Sequence, residues 1–361
     1  MSQNILMIST DRKILEENNE ARERMKDYGT IFDSLFILVV SKKHFWKGDG
    51  EVLISPNVTA APTNFFRAWF ISVPKDVNVL TAQDPFENGL LGMFLSWRKN
   101  IPIQLQIHTD LFSPYFAEES VLNCARVFIA RMILPKANSI RVVSQRIKKS
   151  LIEKLNIPES KITVLPVFVD TEKIKSAPIV TDLHKKYPKH EKIILMASRL
   201  TREKNIPLAL EAMSEIVKKF PKTLLLIVGE GPERKNLELR ITNSEIQNNV
   251  ILEPWTNDLS SYYKTADLFL LTSNYEGYGR TVLEAMIVGC SVIMTDVGIA
   301  GEYLEGNISV LLKHNPMELQ ETINRSIKNE NKKNKPRGEL IETFSKKEYL
   351  ELHKKNLDVC R

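Results

Sequence analysis

Cysteine is scarce. The 361 residues hold three, Cys124, Cys290 and Cys360, too few and too scattered for a disulfide framework, and no pair has the spacing of a zinc or redox site. The N-terminus lacks the basic start, apolar stretch and small-residue cleavage site of a signal peptide. The longest apolar run, Leu35 to Val40, is far too short to cross a bilayer. A soluble protein in a reducing, cytoplasmic setting is the expectation. No Asp-x-Asp pair and no cluster of metal ligands occurs, so no metal or other cofactor is expected. Gly-x-Gly-x-x-Gly after a first strand, with an acidic residue at the end of the next, is also missing, which argues against a dinucleotide oxidoreductase. There is no sequence repeat and no extended low-complexity tract.

What is present is ordinary for a globular chain: 43% hydrophobic and 26% charged residues, in a length that suits two cores better than one. The formal net charge of +6 is spread evenly, 21 basic against 18 acidic residues up to Asp170 and 29 against 26 beyond it. Neither half reads as a nucleic-acid binder. One local excess stands out, because Arg126 to Lys161 carries nine basic residues against Glu153 and Glu159. Such a segment is either a solvated helix face or a point of attraction for an anionic membrane surface or acidic acceptor.

Short apolar runs alternate with longer helical patterns, which predicts βα units and an α/β fold of parallel sheets covered on both faces. The first series has strands at Ile5–Ser9, Leu35–Val40, Val77–Thr81, Ile103–Ile107, Ile140–Val143 and Ile162–Leu165, with helices over Phe86–Arg98, Ser120–Leu134 and Gln145–Leu155. The second has strands at Ile193–Ala197, Thr223–Val228, Val250–Leu252, Leu268–Leu271, Val292–Met294 and Ser309–Leu312. Pro166 to Lys192, with three prolines and little apolar periodicity, is the expected linker. The domains are therefore placed at 1–170 and 171–344. A lysine-rich stretch, Lys328 to Arg337, precedes an amphipathic helix over Lys346–Leu357. Two doubly wound domains facing each other bind ligands at the carboxyl ends of their strands, so the residues just after the strands matter most.

After Leu268–Leu271 the chain reads Thr272-Ser273-Asn274-Tyr275-Glu276-Gly277-Tyr278-Gly279-Arg280-Thr281-Val282-Leu283-Glu284. Gly277 and Gly279 let backbone approach a ligand around Tyr278, and N–H groups near Thr281 at a helix start favour a phosphate. Carboxylates beside an anion serve best as hydroxyl acceptors, so Glu276 is assigned to a transferred sugar and Glu284 to a ribose. After Ile193–Ala197, Arg199 and Lys204 can neutralise a diphosphate leaving group. Gly229 and Gly231, in the turn Val228-Gly229-Glu230-Gly231-Pro232, give a second close approach. Alone, each piece is as readily surface charge or a plain turn; their order after consecutive strands of one domain carries the argument.

These motifs resemble the donor domain of the family 4 retaining GT-B glycosyltransferases. The match runs from about Lys192 to Leu312 and includes the Glu-x7-Glu pair Glu276 and Glu284, Arg199 with Lys204, the Val-Gly-Glu-Gly-Pro turn and Thr295-Asp296-Val297-Gly298. The resemblance implies a GT-B fold of two Rossmann-like domains, a nucleotide-sugar donor, net retention, and a C-terminal helix, 345–361, that completes the first domain. By the same analogy Arg199 and Lys204 hold the diphosphate, and Glu253-Pro254-Trp255-Thr256 lies beside the base, with Trp255 either stacking there or packing.

In the first domain His108, after the strand Ile103–Ile107, is the favoured candidate: it holds a donor-sugar hydroxyl or orients the acceptor. Asp84 and Asp110 either bind acceptor hydroxyls or cap the helices that follow. The family's glycine-rich turn after the first strand is replaced by Ile8-Ser9-Thr10-Asp11-Arg12, where Arg12 supplies charge in place of backbone N–H groups. The linker's usual Asn-Gly-Val-Asp reads Val167-Phe168-Val169-Asp170. The acceptor is expected to be a glycan, a lipid-linked group or another hydroxyl compound. Two rival readings keep the fold: a nucleotide-sugar 2-epimerase, which needs no acceptor, and a GT-B protein that binds without turnover.

Overall fold

The computed structural model describes residues 2–41, 50–302, 308–312, 314–328, 344–358 and 360. The chain divides into two compact units, Met1–Phe168 with Phe344–Arg361, and Val169–Thr343. Most of the lysine-rich stretch expected at Lys328 to Arg337 lies outside the described residues.

The first unit is built on β1 (Asn4–Ser9), β2 (Ser34–Ser41), β3 (Val52–Ser55), β4 (Val58–Asn64), β5 (Val79–Ala82), β6 (Ile103–Ile107), β7 (Ser139–Val142) and β8 (Ile162–Val164). Their order is β3-β4-β2-β1-β5-β6-β7-β8, parallel throughout except for the β3–β4 pair. The second unit holds β9 (Lys192–Ala197), β10 (Thr223–Val228), β11 (Val250–Glu253), β12 (Leu268–Leu271), β13 (Ser291–Thr295) and β14 (Ile308–Leu311). These lie in the order β11-β10-β9-β12-β13-β14, all parallel. That is the doubly wound order 3-2-1-4-5-6, which reverses between β9 and β12 and opens a crevice there. Strands such as β10, whose six residues are all buried, are apolar beyond their first residue, Thr223, because helices cover both faces.

The sequence reading missed β3, β4 and the helix Glu20–Gly29. Pro62 in β4 argues against a strand, but β3 pairs with β4 only as far as Ala60, so Pro62 lies beyond that pairing and costs no ladder bond on that side. The helix Glu20–Gly29 buries only Ala21, Met25 and Tyr28, a stripe too thin to detect by periodicity. Within the expected linker the chain forms two short helices, Thr171–Ser176 and Leu183–Lys186, each started by an aspartate, Asp170 and Asp182, that accepts from first-turn amides. The helices Glu87–Lys99 and Gln145–Leu155 end on Asn100 and Asn156 in the left-handed conformation, φ 53° and 51°, where asparagine takes the place usually held by glycine.

The C-terminal helix, Lys346–Asp358, packs on the first unit. Tyr349, His353 and Leu357, spaced four apart, are buried. Gln104 Nε2 donates to Asn356 Oδ1 at 2.9 Å, Arg141 Nη2 donates to Tyr349 OH at 2.9 Å, and the His353 ring stands 4.4 Å from that of Tyr28. Neither ring nitrogen of His353 has a hydrogen-bond partner. Burial first, then the charges of Arg141 and His108, hold it well below the ordinary histidine range, so it is a neutral ring in an aromatic cluster.

Candidate functional site

In the second unit the reversal between β9 and β12 brings the two most informative stretches together. Lys204, at the end of a short 3-10 turn after β9, donates from Nζ to Glu276 Oε1 at 2.5 Å, and both side chains are about one-seventh exposed, 13% and 14%. Ser273 Oγ donates to the same oxygen at 2.8 Å. The loops are stitched by backbone as well: Thr272 Oγ1 donates to the carbonyls of Lys204 and Asn205 at 2.9 and 3.0 Å, and Asn274 N donates to Glu203 O at 2.7 Å. Thr295 Oγ1, from the end of β13, donates to Ser273 O at 2.6 Å. Three hydroxyls at the ends of β12 and β13 thus fix the loop and the carboxylate of Glu276. Arg199 is largely exposed and paired at 3.2 Å with the buried Glu203, which anchors one edge of its guanidinium.

The helix after β12 spans Arg280–Ile287, with Gly279 at its N-cap in the left-handed region, φ 97°, and no side-chain cap. A Cβ on Gly279 would meet only Val282 Cγ2, at an ordinary 3.9 Å, so the backbone conformation, not crowding, asks for glycine here. Gly298 is the opposite case: its φ is 55°, and a Cβ would lie 2.3 Å from Tyr278 O. Ile299 N donates to the same carbonyl at 2.9 Å, so the Thr295–Gly298 turn carries the Glu276–Gly279 loop on its back. Gly277 and Tyr278 are buried in that loop, and Thr281 is half-buried in the first helical turn. Glu284, one turn further, is buried; its Oε1 accepts from Arg280 Nε at 2.7 Å and its Oε2 from Tyr263 OH at 3.0 Å.

The glycines after β10 have a packing role. A Cβ on Gly229 would lie 1.9 Å from Ser198 O, and one on Gly231 2.2 Å from Leu200 O. They let the turn lie directly on the loop that carries Arg199. Trp255 is 45% exposed, so it is not a packing residue. Its loop is pinned by Glu253, which accepts from Tyr262 OH at 2.6 Å and from Tyr187 OH, and pairs with Lys186 at 2.5 Å. Burial pushes the Glu253 carboxyl up, but these three donors outweigh it and leave it below the usual range.

In the first unit, β1 and β5 flank the corresponding reversal, and Ser9 Oγ donates across it to Gln83 Oε1 at 2.5 Å. Asp11 caps the 3-10 turn Arg12–Leu15, so side chains close the turn that lacks glycine; Arg12 is exposed there. Asp84 Oδ1 accepts from the amides of Phe86 and Asn88 at 2.9 and 3.3 Å, and Oδ2 from Asn88 Nδ2 at 2.5 Å. Both oxygens serve the start of the following helix. Burial raises the Asp84 pKa, and burial likewise raises that of Asp110, which lies near Lys154 and Arg146.

His108 stands exposed at the end of β6, with Nε2 3.1 Å from Gln106 Oε1. That oxygen also accepts from Arg141 Nη1 at 3.1 Å, while Gln106 Nε2 donates to Thr81 Oγ1 at 2.9 Å. Arg141 can only donate, so Gln106 must turn its oxygen to it. The neutral His108 therefore carries its proton on Nε2 and presents Nδ1 as an acceptor. Loss of hydration in the crowded surroundings, then the Arg141 and Arg24 charges, lower its pKa to about 3. The ring is therefore neutral at pH 7. Gln106, Arg141, Ser273 and Tyr263 carried no signal in the sequence: a buried Gln or Arg in a strand and a lone hydroxyl match no motif.

The basic segment Arg126–Lys161 does not form one basic face. Arg126 pairs with Glu87 at 2.9 Å, Lys148 with Glu159 at 2.6 Å and Lys149 with Glu153 at 3.8 Å. Lys154 and Lys161 donate to the carbonyls of Phe112 and Ala137, and Arg141 is buried. Among the described residues no group of three or more His, Cys, Asp or Glu side chains stands together as metal ligands, and no helix is long and apolar enough to cross a membrane.

Two family models match the chain, Glycosyl transferases group 1 over residues 181–342 and Glycosyltransferase Family 4 over residues 46–173. The chain is similar to alpha-monoglucosyldiacylglycerol synthase of Streptococcus pneumoniae, 27% identical over 240 residues that cover 63% of this chain and 54% of that protein. It is also similar to poly(glycerol-phosphate) alpha-glucosyltransferase of Bacillus subtilis, 30% identical over 169 residues, 45% of this chain and 25% of the relative. The match thus spans about half or less of the length of these curated relatives. Among solved structures, HepE of Anabaena in complex with UDP and glucose superimposes with a TM-score of 0.76 at 17% identity over 99% of both chains, a likeness of fold. With one model matched in each of its two Rossmann-like units, the chain belongs to the family 4 glycosyltransferases and has their GT-B fold.

Proposed function

We propose that this chain transfers a sugar, with retention of anomeric configuration and without a divalent metal, from a nucleoside-diphosphate sugar to a hydroxyl acceptor that is a glycan or a lipid-linked group. The observation that carries the reading is the Lys204–Glu276 pair at the strand-order reversal, with Glu284 on the helix that begins after Gly279. An ammonium and a fixed carboxylate side by side suit a diphosphate joined to a polyhydroxyl ring. Lys204, Arg199 and the N-terminus of helix Arg280–Ile287 meet the charge that grows on the departing diphosphate. Glu276 holds a hydroxyl of the transferred sugar through Oε2, Glu284 takes the ribose, the backbone from Gly277 to Thr281 follows the phosphates, and the exposed Trp255 stacks on the base.

In the first unit, proposed as the acceptor side, His108 offers Nδ1 to a sugar hydroxyl, with Asp110 and Arg12 as further polar contacts. Asp84, with both oxygens engaged, is assigned to the helix cap. The names of the relatives, a glucosyldiacylglycerol synthase and a poly(glycerol-phosphate) glucosyltransferase, support a glucose-type donor and a lipid or polyol-phosphate acceptor. No observation favours epimerisation or binding without turnover.

The test is calorimetric titration with UDP and other nucleoside diphosphates, with and without a chelator, of the wild type, Glu284→Ala and Glu276→Ala, alongside initial rates. Glu284→Ala should weaken every nucleotide, while Glu276→Ala should spare the bare diphosphate and lower turnover about 100-fold by misplacing the sugar. The reverse pattern, or a strict need for magnesium or manganese, overturns the assignment.

A further inference from the structure

We infer that the aromatic face formed by the segment Phe65–Ile71 and the helix Glu87–Lys99 is the surface by which this chain inserts into an anionic lipid bilayer. Phe66, Phe70 and Trp97 are 81%, 86% and 79% exposed. Large aromatic side chains left in water to that extent, three on neighbouring elements, mark an interaction site rather than the scatter of single apolar residues found on any surface.

They stand on a rigid base. The Trp69 ring packs 5.8 Å from Phe65 and 4.8 Å from Phe94, and Phe94 lies 6.3 Å from Trp97. Arg98 locks the two elements together, donating to Trp69 O at 3.1 Å and Ile71 O at 2.6 Å, with its guanidinium 5.6 Å above the Phe94 ring. Asn64 caps the short helix Phe65–Ala68, accepting from Arg67 N, with Phe66 inside it and Phe70 in the turn that follows.

Charge selects the occupant. Residues 65–76 and 94–100 carry Arg67, Lys75, Arg98 and Lys99, all exposed, against Asp76 alone. Lysine is depleted from protein–protein interfaces, whereas phenylalanine and tryptophan flanked by Lys and Arg suit the boundary between headgroups and acyl chains. In the basic segment Arg126–Lys161, by contrast, Arg126 and Lys148 pair with carboxylates, and Lys154 and Lys161 donate to carbonyls within the same unit. The inference rests on the lipid-linked acceptor reading for its purpose, but vesicle binding needs neither donor nor acceptor, so its failure would leave sugar transfer standing.

The experiment is co-sedimentation with phosphatidylglycerol and with phosphatidylcholine vesicles, together with tryptophan quenching by brominated lipid. The full chain should bind the anionic vesicles, more weakly as salt rises. The variant Phe66→Ser/Phe70→Ser/Trp97→Ser, which alters only exposed side chains, should keep its melting temperature and lose on the order of 100-fold in partitioning. Trp97→Phe should remove most of the quenching. Lys148→Ser/Lys149→Ser should bind as wild type. The inference is overturned if the wild type does not bind, if the triple variant binds undiminished, or if Phe128→Ser/Met132→Ser, on the neighbouring helix, abolishes binding instead. It is also overturned if light scattering shows a dimer that the triple variant dissociates, since the face then belongs to a second copy.

Discussion

If Lys204 served only the diphosphate and Glu276 only the sugar, removing either would impair transfer independently, and the two losses would multiply. The 2.5 Å contact between them predicts otherwise. Each side chain is only about one-seventh exposed, so truncating one strands the other in a site poor in water. Exposed pairs are worth roughly 0.2–1 kcal/mol, while breaking a fully buried pair costs about 3–5 kcal/mol, much of it from the abandoned partner. This pair lies between, nearer the buried limit, and a coupling of about 1.5–3 kcal/mol follows, or roughly 10- to 100-fold. Lys204→Met keeps the aliphatic stem and Glu276→Gln keeps the shape. In a double-mutant cycle on kcat/KM, the double variant should be little worse than the poorer single one. Urea unfolding of all four proteins separates loss of fold from loss of function. Effects that add to within about 0.5 kcal/mol would refute the idea that the pair works as a unit.

Gln106→Leu should release the tautomer of His108, visible in its ¹⁵N resonances, and destabilise the first unit by about 1–3 kcal/mol as Arg141 loses an acceptor; Gln106→Glu should preserve the Nε2–H form, and a ring already mixed in the wild type would contradict the network. His353 has a folded pKa well below its unfolded value of 6.5, so below pH 6.5 the unfolded chain takes up a proton that the folded one refuses. Stability is then lost as pH falls, by up to about 1.4 kcal/mol per unit from this group, and urea titrations at pH 5 and 7 should show His353→Phe reducing the slope, with the share of His108 remaining. Gly298→Ala should shift the Glu276–Gly279 loop through its 2.3 Å approach to Tyr278 O and weaken donor binding by calorimetry; unchanged donor affinity in the folded variant would deny the turn its supporting role.

What the sequence could reveal depended on range. β9 and β12 announce themselves because covering a parallel sheet on both faces demands apolar runs, and the residues after them are few enough to inspect one by one, which singles out Arg199, Lys204, Glu276 and Glu284. β4 stayed hidden because Pro62 is tolerated only where β3 has already ended, a fact of pairing and not of propensity. The same holds at the candidate site. Whether Asp84 meets a ligand or a helix depends on two amides two and four residues on, within the reach of a sequence argument, and capping was one of the two outcomes foreseen. The state of His108 depends instead on Arg141, 33 residues away, and on Tyr349 in the last helix, which steers that guanidinium. Its strand-end place identifies the ring, but the proton's place on it is set by polar groups that converge from three strands and the chain's far end, and only the folded first unit brings those together.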